Sequence, residues 1–164
     1  MIYRVIYSPL LDRYLLLLAD KRGIRLLIRR SEAEVLSDLS GLGECREGTL
    51  FRVVRDLKTY LGGRNVDFRK YMVNMESLTP FERMVMEKVR EIPFGEVRSY
   101  QELASSIGRE RAYRAVGRAL GKNPAPIIIP CHRVVAKDGI GGYAFGVDMK
   151  KKLLVLEKGV DRWG

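Results

Sequence analysis

Tyr100-Gln101-Glu102-Leu103-Ala104-Ser105-Ser106-Ile107-Gly108-Arg109-Glu110-Arg111-Ala112-Tyr113-Arg114-Ala115-Val116-Gly117-Arg118-Ala119-Leu120 is the stretch that decides the architecture of this chain. Leu103, Ala104 and Ile107 fall on one face of a helix over 100–107, and Gly108 marks the turn after it. Ala112, Ala115, Val116, Ala119 and Leu120 recur at i, i+3, i+4, i+7 and i+8, the inward stripe of a second helix over 112–120. Arg111, Arg114 and Arg118 fall on another stripe of that helix. This is the layout of a helix-turn-helix with a basic outward face. Surface arginines on short helices are usually only solvated, so the stripe alone names no ligand.

Upstream, Thr79 is a good N-cap with Pro80 at the first helical position, and Phe81, Met84, Val85 and Val89 make an apolar stripe. Ile92-Pro93-Phe94-Gly95 stops that helix. The first half reads differently. Runs over 2–7, 14–19 and 24–28 favour strands and are separated by Ser8-Pro9 and by the turn from Asp20 to Gly23, which predicts a meander. Ser31, with Glu34 at the capping-box position, opens a short helix to about Leu39, broken by Gly41-Leu42-Gly43. Leu50, Val53, Val54, Leu57 and Leu61 mark another helix, ended by Gly62-Gly63. Residues 69–75 read equally as a strand or a connection. The expected fold is an α/β N-terminal subdomain with a small antiparallel sheet (1–75). A mainly helical C-terminal domain carrying the helix-turn-helix (76–164) follows it.

The chain has 164 residues, 30 Lys plus Arg against 20 Asp plus Glu, a formal charge of +10, and 46% hydrophobic residues. That excludes a wholly disordered chain and is ample for a packed core. Two Cys and one His support neither a disulfide framework nor a closed structural zinc site, so no metal is expected. No apolar run reaches the roughly 20 residues of a membrane span, and the start lacks a signal-peptide layout. The expectation is a soluble, cytoplasmic protein. The positive surplus favours a polyanion such as nucleic acid, against the alternative that it serves solubility alone. A single Gln (Gln101) and three Asn (Asn65, Asn74, Asn123) beside many charges fit a heat-adapted protein.

Past Gly121-Lys122-Asn123-Pro124 and the apolar Ile127-Ile128-Ile129 comes Pro130-Cys131-His132-Arg133-Val134. A thiol near pKa 8.5 needs a base or a positive field to become a nucleophile, and His132, the only His, could provide the base. An inert buried Cys beside a hydrogen-bonded loop His is the alternative, and the two residues alone leave it open. On a strand adjacent side chains point to opposite faces, which predicts a bridging water rather than direct contact.

With Ile92-Pro93-Phe94-Gly95-Glu96, Ser99-Tyr100, Leu103-Ala104, Arg114-Ala115-Val116-Gly117, Asn123-Pro124, Gly142-Tyr143, Leu153-Leu154 and Glu157, in this order, the sequence resembles the O6-alkylguanine-DNA alkyltransferase family. The resemblance spans about 79–159. It implies direct repair of double-stranded DNA entered through the minor groove. The damaged guanine is turned out, and its alkyl group moves irreversibly to a cysteine, without a cofactor. A monomer is expected. By this resemblance Cys131 is the acceptor, His132 the water-linked base and Glu157 the carboxylate that orients it. Asn123 holds the turns of the reactive loop, and Tyr100 donates to O6 as it becomes a leaving oxyanion. Arg114 fills the space of the turned-out nucleotide, with Ala112, Tyr113, Arg111, Arg118 and Lys122 on the DNA-facing side. The Val134 carbonyl, Tyr143, Ala144 and Phe145 line the base pocket, and Lys150 matches a lysine near that loop.

Three residues depart from the family pattern. Glu110 stands where Pro is usual, and an acid in the first helical turn would suit the helix dipole. Ala144 replaces a common Ser, and Phe145 stands where a small residue follows, which is expected to crowd the pocket. Cys45 matches no role. The rivals fare worse. A non-catalytic lesion binder typically lacks the reactive Cys. A helix-turn-helix regulator leaves Cys131, His132 and Glu157 unexplained. A cysteine protease separates its Cys and His in sequence.

Overall fold

A computed structural model describes residues 1–159, and the chain divides into two compact units, Met1–Asn74 and Met75–Gly164. In the first unit β1 (Ile2–Ser8), β2 (Arg13–Asp20) and β3 (Gly23–Arg29) form the meander, with antiparallel pairing from Ile2↔Ala19 and Tyr14↔Arg29. Leu15, Leu16, Leu17 and Leu18 of the central strand are all 0–1% exposed, which explains an unbroken leucine run where a half-exposed strand would alternate. Leu16 and Leu18 pack with Val35 of α1 (Glu32–Gly41), flanked by Tyr3, Val5, Leu27 and Leu39. Each such buried leucine contributes about 2 kcal/mol of transfer free energy.

Ser31 caps α1 by accepting from Glu34 N, but the Glu34 carboxylate accepts from Arg30 N, one residue earlier than a capping box requires. A two-residue strand, β4 (Arg46–Glu47), adds a parallel edge to β1, so the sheet is mixed with order β3-β2-β1-β4. The helix α2 (Phe51–Leu61) starts after Leu50, which caps it in the left-handed region at φ 38° and so lies outside the helical stripe. Residues 69–75 form a connection. A 3-10 turn, Phe68–Lys70, leads to an isolated parallel bridge between Ile24 and Val73. Gly23 makes that approach possible: at φ 125° a Cβ there would lie 2.7 Å from the Met72 carbonyl oxygen.

In the second unit α3 (Pro80–Arg90) begins with a complete Thr79–Glu82 capping box. Its inward stripe is Glu82, Val85, Met86 and Val89, whereas Met84 is 37% exposed, against the expected stripe. The helical period does place Glu82 inward. A search for apolar residues passes over it, although its carboxylate is fully used, by Thr79 N at 2.9 Å and Lys122 Nζ at 2.8 Å.

Next come β5 (Arg98–Ser99), α4 (Tyr100–Ser106) and α5 (Tyr113–Leu120), the helix-turn-helix, with Ser99 and Glu102 forming a second capping box. Ala112 is the N-cap of α5 and makes no side-chain cap bond. Glu110 therefore precedes the first turn, and the expected dipole benefit does not arise. The short strand β6 (Val134–Val135) pairs in parallel with β5 and so sets the segment after His132 beside the start of the helix-turn-helix. The helix α6 (Val147–Lys158) closes the described chain. Among the described residues no helix is long and apolar enough to cross a membrane.

Candidate active site

Asn123 organises the approach to the reactive dipeptide. Its Oδ1 accepts from Ala125 N at 2.9 Å, while Nδ2 donates to the Ile129 carbonyl at 2.8 Å and lies 3.0 Å from Cys131 Sγ. One amide thus ties both ends of the intervening loop and touches the thiol. Between them Ile127 sits at φ 74°, an unfavourable conformation for a β-branched residue, costing about 1–3 kcal/mol. Such a loop persists because Asn123 and the buried Ile127, Ile128 and Ile129 side chains over-determine it.

Cys131–Arg133 form a 3-10 turn, not a strand. The turn splays successive side chains by about 120°. Cys131 faces Asn123, while His132 Nε2 pairs with Oε2 of Glu157, near the end of α6. The expected alternation is thus replaced by a turn with the same practical result, since the two side chains engage different partners. His132 is 0% exposed. Glu157 is held on its other oxygen by Arg133 Nε at 2.7 Å and Gly95 N at 3.1 Å. Gly95 adopts φ 79°, where a side chain would be strained, so glycine is what lets this loop turn its N–H onto the carboxylate.

Burial pushes the Cys131 thiol above its ordinary pKa, against hydrogen bonds from Asn123 and Tyr143 and the charge of Lys150. Burial also pushes His132 below its ordinary value, against the pull of Glu157. Glu157 falls to about 2: burial raises it, but its bonds to His132, Arg133 and Gly95 outweigh that. The resting pair is therefore a thiol near a neutral imidazole. An ionised carboxylate only accepts, so Nε2 carries the ring proton and Nδ1 is the basic nitrogen.

Cys131 forms part of the wall of a cavity of about 270 Å³, lined also by Tyr100 of α4, Gly117 of α5, and Tyr143, Ala144 and Phe145 of the loop before α6. This is at the small end for ligand pockets and suits a single planar heterocycle. Phe145 packs edge-on to Tyr143 at 5.2 Å. Val134 and Lys150, expected in the pocket wall, stand behind it: buried Lys150 donates to the Val134 carbonyl at 2.6 Å and to the carbonyl of the lining residue Gly142 at 2.9 Å, and burial lowers its pKa to about 8. The Tyr100 hydroxyl lies 3.5 Å from the Gly142 carbonyl, and burial keeps it protonated by raising its pKa.

Outside the cavity Tyr113, Arg114 and Arg118 are exposed on α5, while Arg111 is exposed in the turn before its N-cap and so lies off the helical stripe expected for it. The Arg114 guanidinium lies 5.9 Å from the Tyr113 ring, and Ala112 is half-buried. Lys122 is engaged elsewhere, on Glu82.

A model of the 6-O-methylguanine DNA methyltransferase DNA-binding domain matches residues 80–159. The methylated-DNA–protein-cysteine methyltransferase of Methanosarcina barkeri is 39% identical over 163 residues, covering 96% of this chain and 98% of that protein. This chain belongs to the methylated-DNA–protein-cysteine methyltransferase family. The Saccharolobus solfataricus methyltransferase is 42% identical over 116 residues, 70% of this chain and 74% of that one. The fold agrees as well. The structure of Mycobacterium tuberculosis OGT in complex with DNA matches with a TM-score of 0.81 at 32% identity, covering 97% of this chain and 94% of that one. The O6-methylguanine-DNA methyltransferase of the hyperthermophilic archaeon Pyrococcus kodakaraensis matches at 0.71 and 28% identity, covering 95% and 98%.

For a methyltransferase of this family, sequence reasoning overlooked two participants in the site. Arg133 stood inside the quoted motif without a role, and its signal was an arginine amid apolar residues, a charge that must be paired when buried. Gly95 also stood in a quoted motif, but only the fold shows its N–H reaching Glu157. Gly117 faces the Tyr100 ring, and its lack of a side chain keeps that side of the cavity open.

Proposed function

We propose that this chain repairs O6-alkylguanine in duplex DNA by moving the alkyl group to Cys131, once per molecule. Arg111, Arg114, Arg118 and Tyr113 engage the duplex, with Arg114 standing in for the guanine turned out into the cavity. There the Cys131 sulfur attacks the alkyl carbon in line with O6. The S–C bond forms as the C–O6 bond breaks, and its electron pair passes to the guanine. The thiol proton goes through water to Nδ1 of His132, whose positive charge Glu157 stabilises. Tyr100 hydrogen-bonds O6 as charge develops there, and the guanine takes back one proton on release. Asn123 holds the sulfur, and Lys150 ties Gly142 of the pocket wall to Val134. The products are a thioether and unmodified guanine, so nothing regenerates the thiol. The protein acts as a monomer in the cytoplasm.

The observation that carries this reading is a thiol in the wall of a base-sized cavity, backed by a buried His–Glu couple. Cys131→Ser tests it. The hydroxyl is a far poorer nucleophile at neutral pH, so transfer should vanish while affinity for methylated duplex stays within about twofold. Wild-type transfer by the variant would contradict the reading.

A further inference from the structure

Arg133 follows the reactive dipeptide and is itself only 6% exposed. A guanidinium inside a protein is tolerated where its charge and its donors are both used. Nε donates to Oε1 of Glu157 at 2.7 Å, Nη1 donates to the Ile92 carbonyl at 2.6 Å, and the Phe94 ring lies 6.0 Å from the guanidinium carbon. Gly95 N adds a second donor to Oε1, at 3.1 Å. The carboxylate is thereby divided: Oε1 serves Arg133 and the loop after α3, and Oε2 serves His132.

We propose that Arg133 is a positioning residue for the base, in an inference that rests on the alkyl-transfer reading: by holding Oε1 it fixes Oε2 on His132 Nε2, and its charge offsets that of Glu157, so that the imidazole stays neutral until the thiol gives up its proton. A bare carboxylate against a buried imidazole would draw a proton onto the ring, and an imidazolium cannot accept one from Cys131. The charged groups facing His132 are Glu157 and Lys150 from α6 and Arg133 in its own turn; the neighbouring titratable group is the neutral Cys131 thiol. Just past α3, which also packs on this turn, the contact is the Ile92 carbonyl on Arg133, while Glu82 of that helix is taken up by Lys122. Of these charges Glu157 favours imidazolium, and Arg133 and Lys150 oppose it. The competing account makes Arg133 a staple that ties the reactive turn to the loop, with no influence on the base. Both accounts expect lost stability on substitution, but only the first expects a changed titration.

The chain holds a single His, so imidazole resonances in an NMR titration report His132 alone. The comparison is of full-length wild type, Arg133→Lys, Arg133→Met and Arg133→Gln, each also followed for single-turnover transfer from O6-methylguanine duplex across pH. Removing the charge should raise the His132 pKa by about one unit and move the acid limb of the transfer profile up with it. Arg133→Lys should titrate near wild type yet react roughly three- to tenfold more slowly, because one ammonium cannot bind Glu157 and Ile92 together. Arg133→Gln carries the same test should Arg133→Met not fold. Identical His132 titration in wild type, Lys and the neutral variants would overturn the proposal and leave the staple. Failure of the wild type to take up methyl would instead overturn the alkyl-transfer reading, and the His132 titration would still decide whether Arg133 governs the imidazole.

Discussion

At Cys131 burial and hydrogen bonding act against each other, and burial prevails, so the sulfur rests as a thiol and ionises when a base takes its proton. His132 can do so above its own lowered pKa, throughout the neutral range. Replacing Glu157 by Gln removes the charge that makes this imidazole basic. Transfer should fall by about 10²-fold near pH 7, within the range of general-base effects. What activity remains then depends on thiolate formed by bulk base. Because the thiol pKa is raised, that route operates at higher pH, so the rate profile should move upward. An unchanged profile in a folded variant would reduce Glu157 to a structural residue. Phe145 offers a second test at this scale. Its ring stands in the cavity wall edge-on to Tyr143, where the family pattern has a small residue. Overpacking typically costs about 1–3 kcal/mol, or roughly 5- to 150-fold in rate. Free O6-benzylguanine should therefore react poorly beside O6-methylguanine, and Phe145→Gly should recover the benzyl reaction more than the methyl one. An unchanged benzyl-to-methyl ratio in competition kinetics would mean the ring does not limit substrate size.

The helix α5 buries Val116, Ala119 and Leu120 and leaves Arg114 and Arg118 in solvent, as its period requires, while Arg111 is exposed in the turn before its N-cap. Arg114→Ala should slow repair of duplex DNA at least tenfold while leaving reaction with the free modified base nearly unchanged, because unstacking a base costs a few kcal/mol that a filling side chain offsets. Equal losses on both substrates would place Arg114 in folding or chemistry. The elements that sequence made legible are those with a long, clean period: the meander, α3 and the helix-turn-helix. The strand β4 spans two residues and pairs in parallel, too short for any alternation to register. Glu82 occupies an inward position that polarity disguises, and the same ion pair takes Lys122 away from the basic stripe it was grouped with. Cys131, His132 and Glu157 were legible through the spacing of a known motif. The division of Glu157 between His132 and Arg133 was not, because it depends on the loop from Ile92 to Gly95 folding back onto α6.

Over the whole molecule a charge of +10 draws the protein toward DNA of any sequence, through contacts that weaken with salt. Selectivity must then come from the cavity and its thiol rather than from attraction. The chemistry leaves a permanent record, since a thioether cannot be reduced or hydrolysed under physiological conditions and each chain carries one acceptor. Two free cysteines, Cys45 in the first unit and Cys131 in the second, make the record specific to position. The most direct test is intact mass and peptide mapping after incubation with excess duplex containing O6-methylguanine. The account predicts a gain of one methyl group per chain, carried by the peptide containing Cys131, with unmodified guanine left in the DNA. No mass gain, or a methyl group found on Cys45, would contradict it.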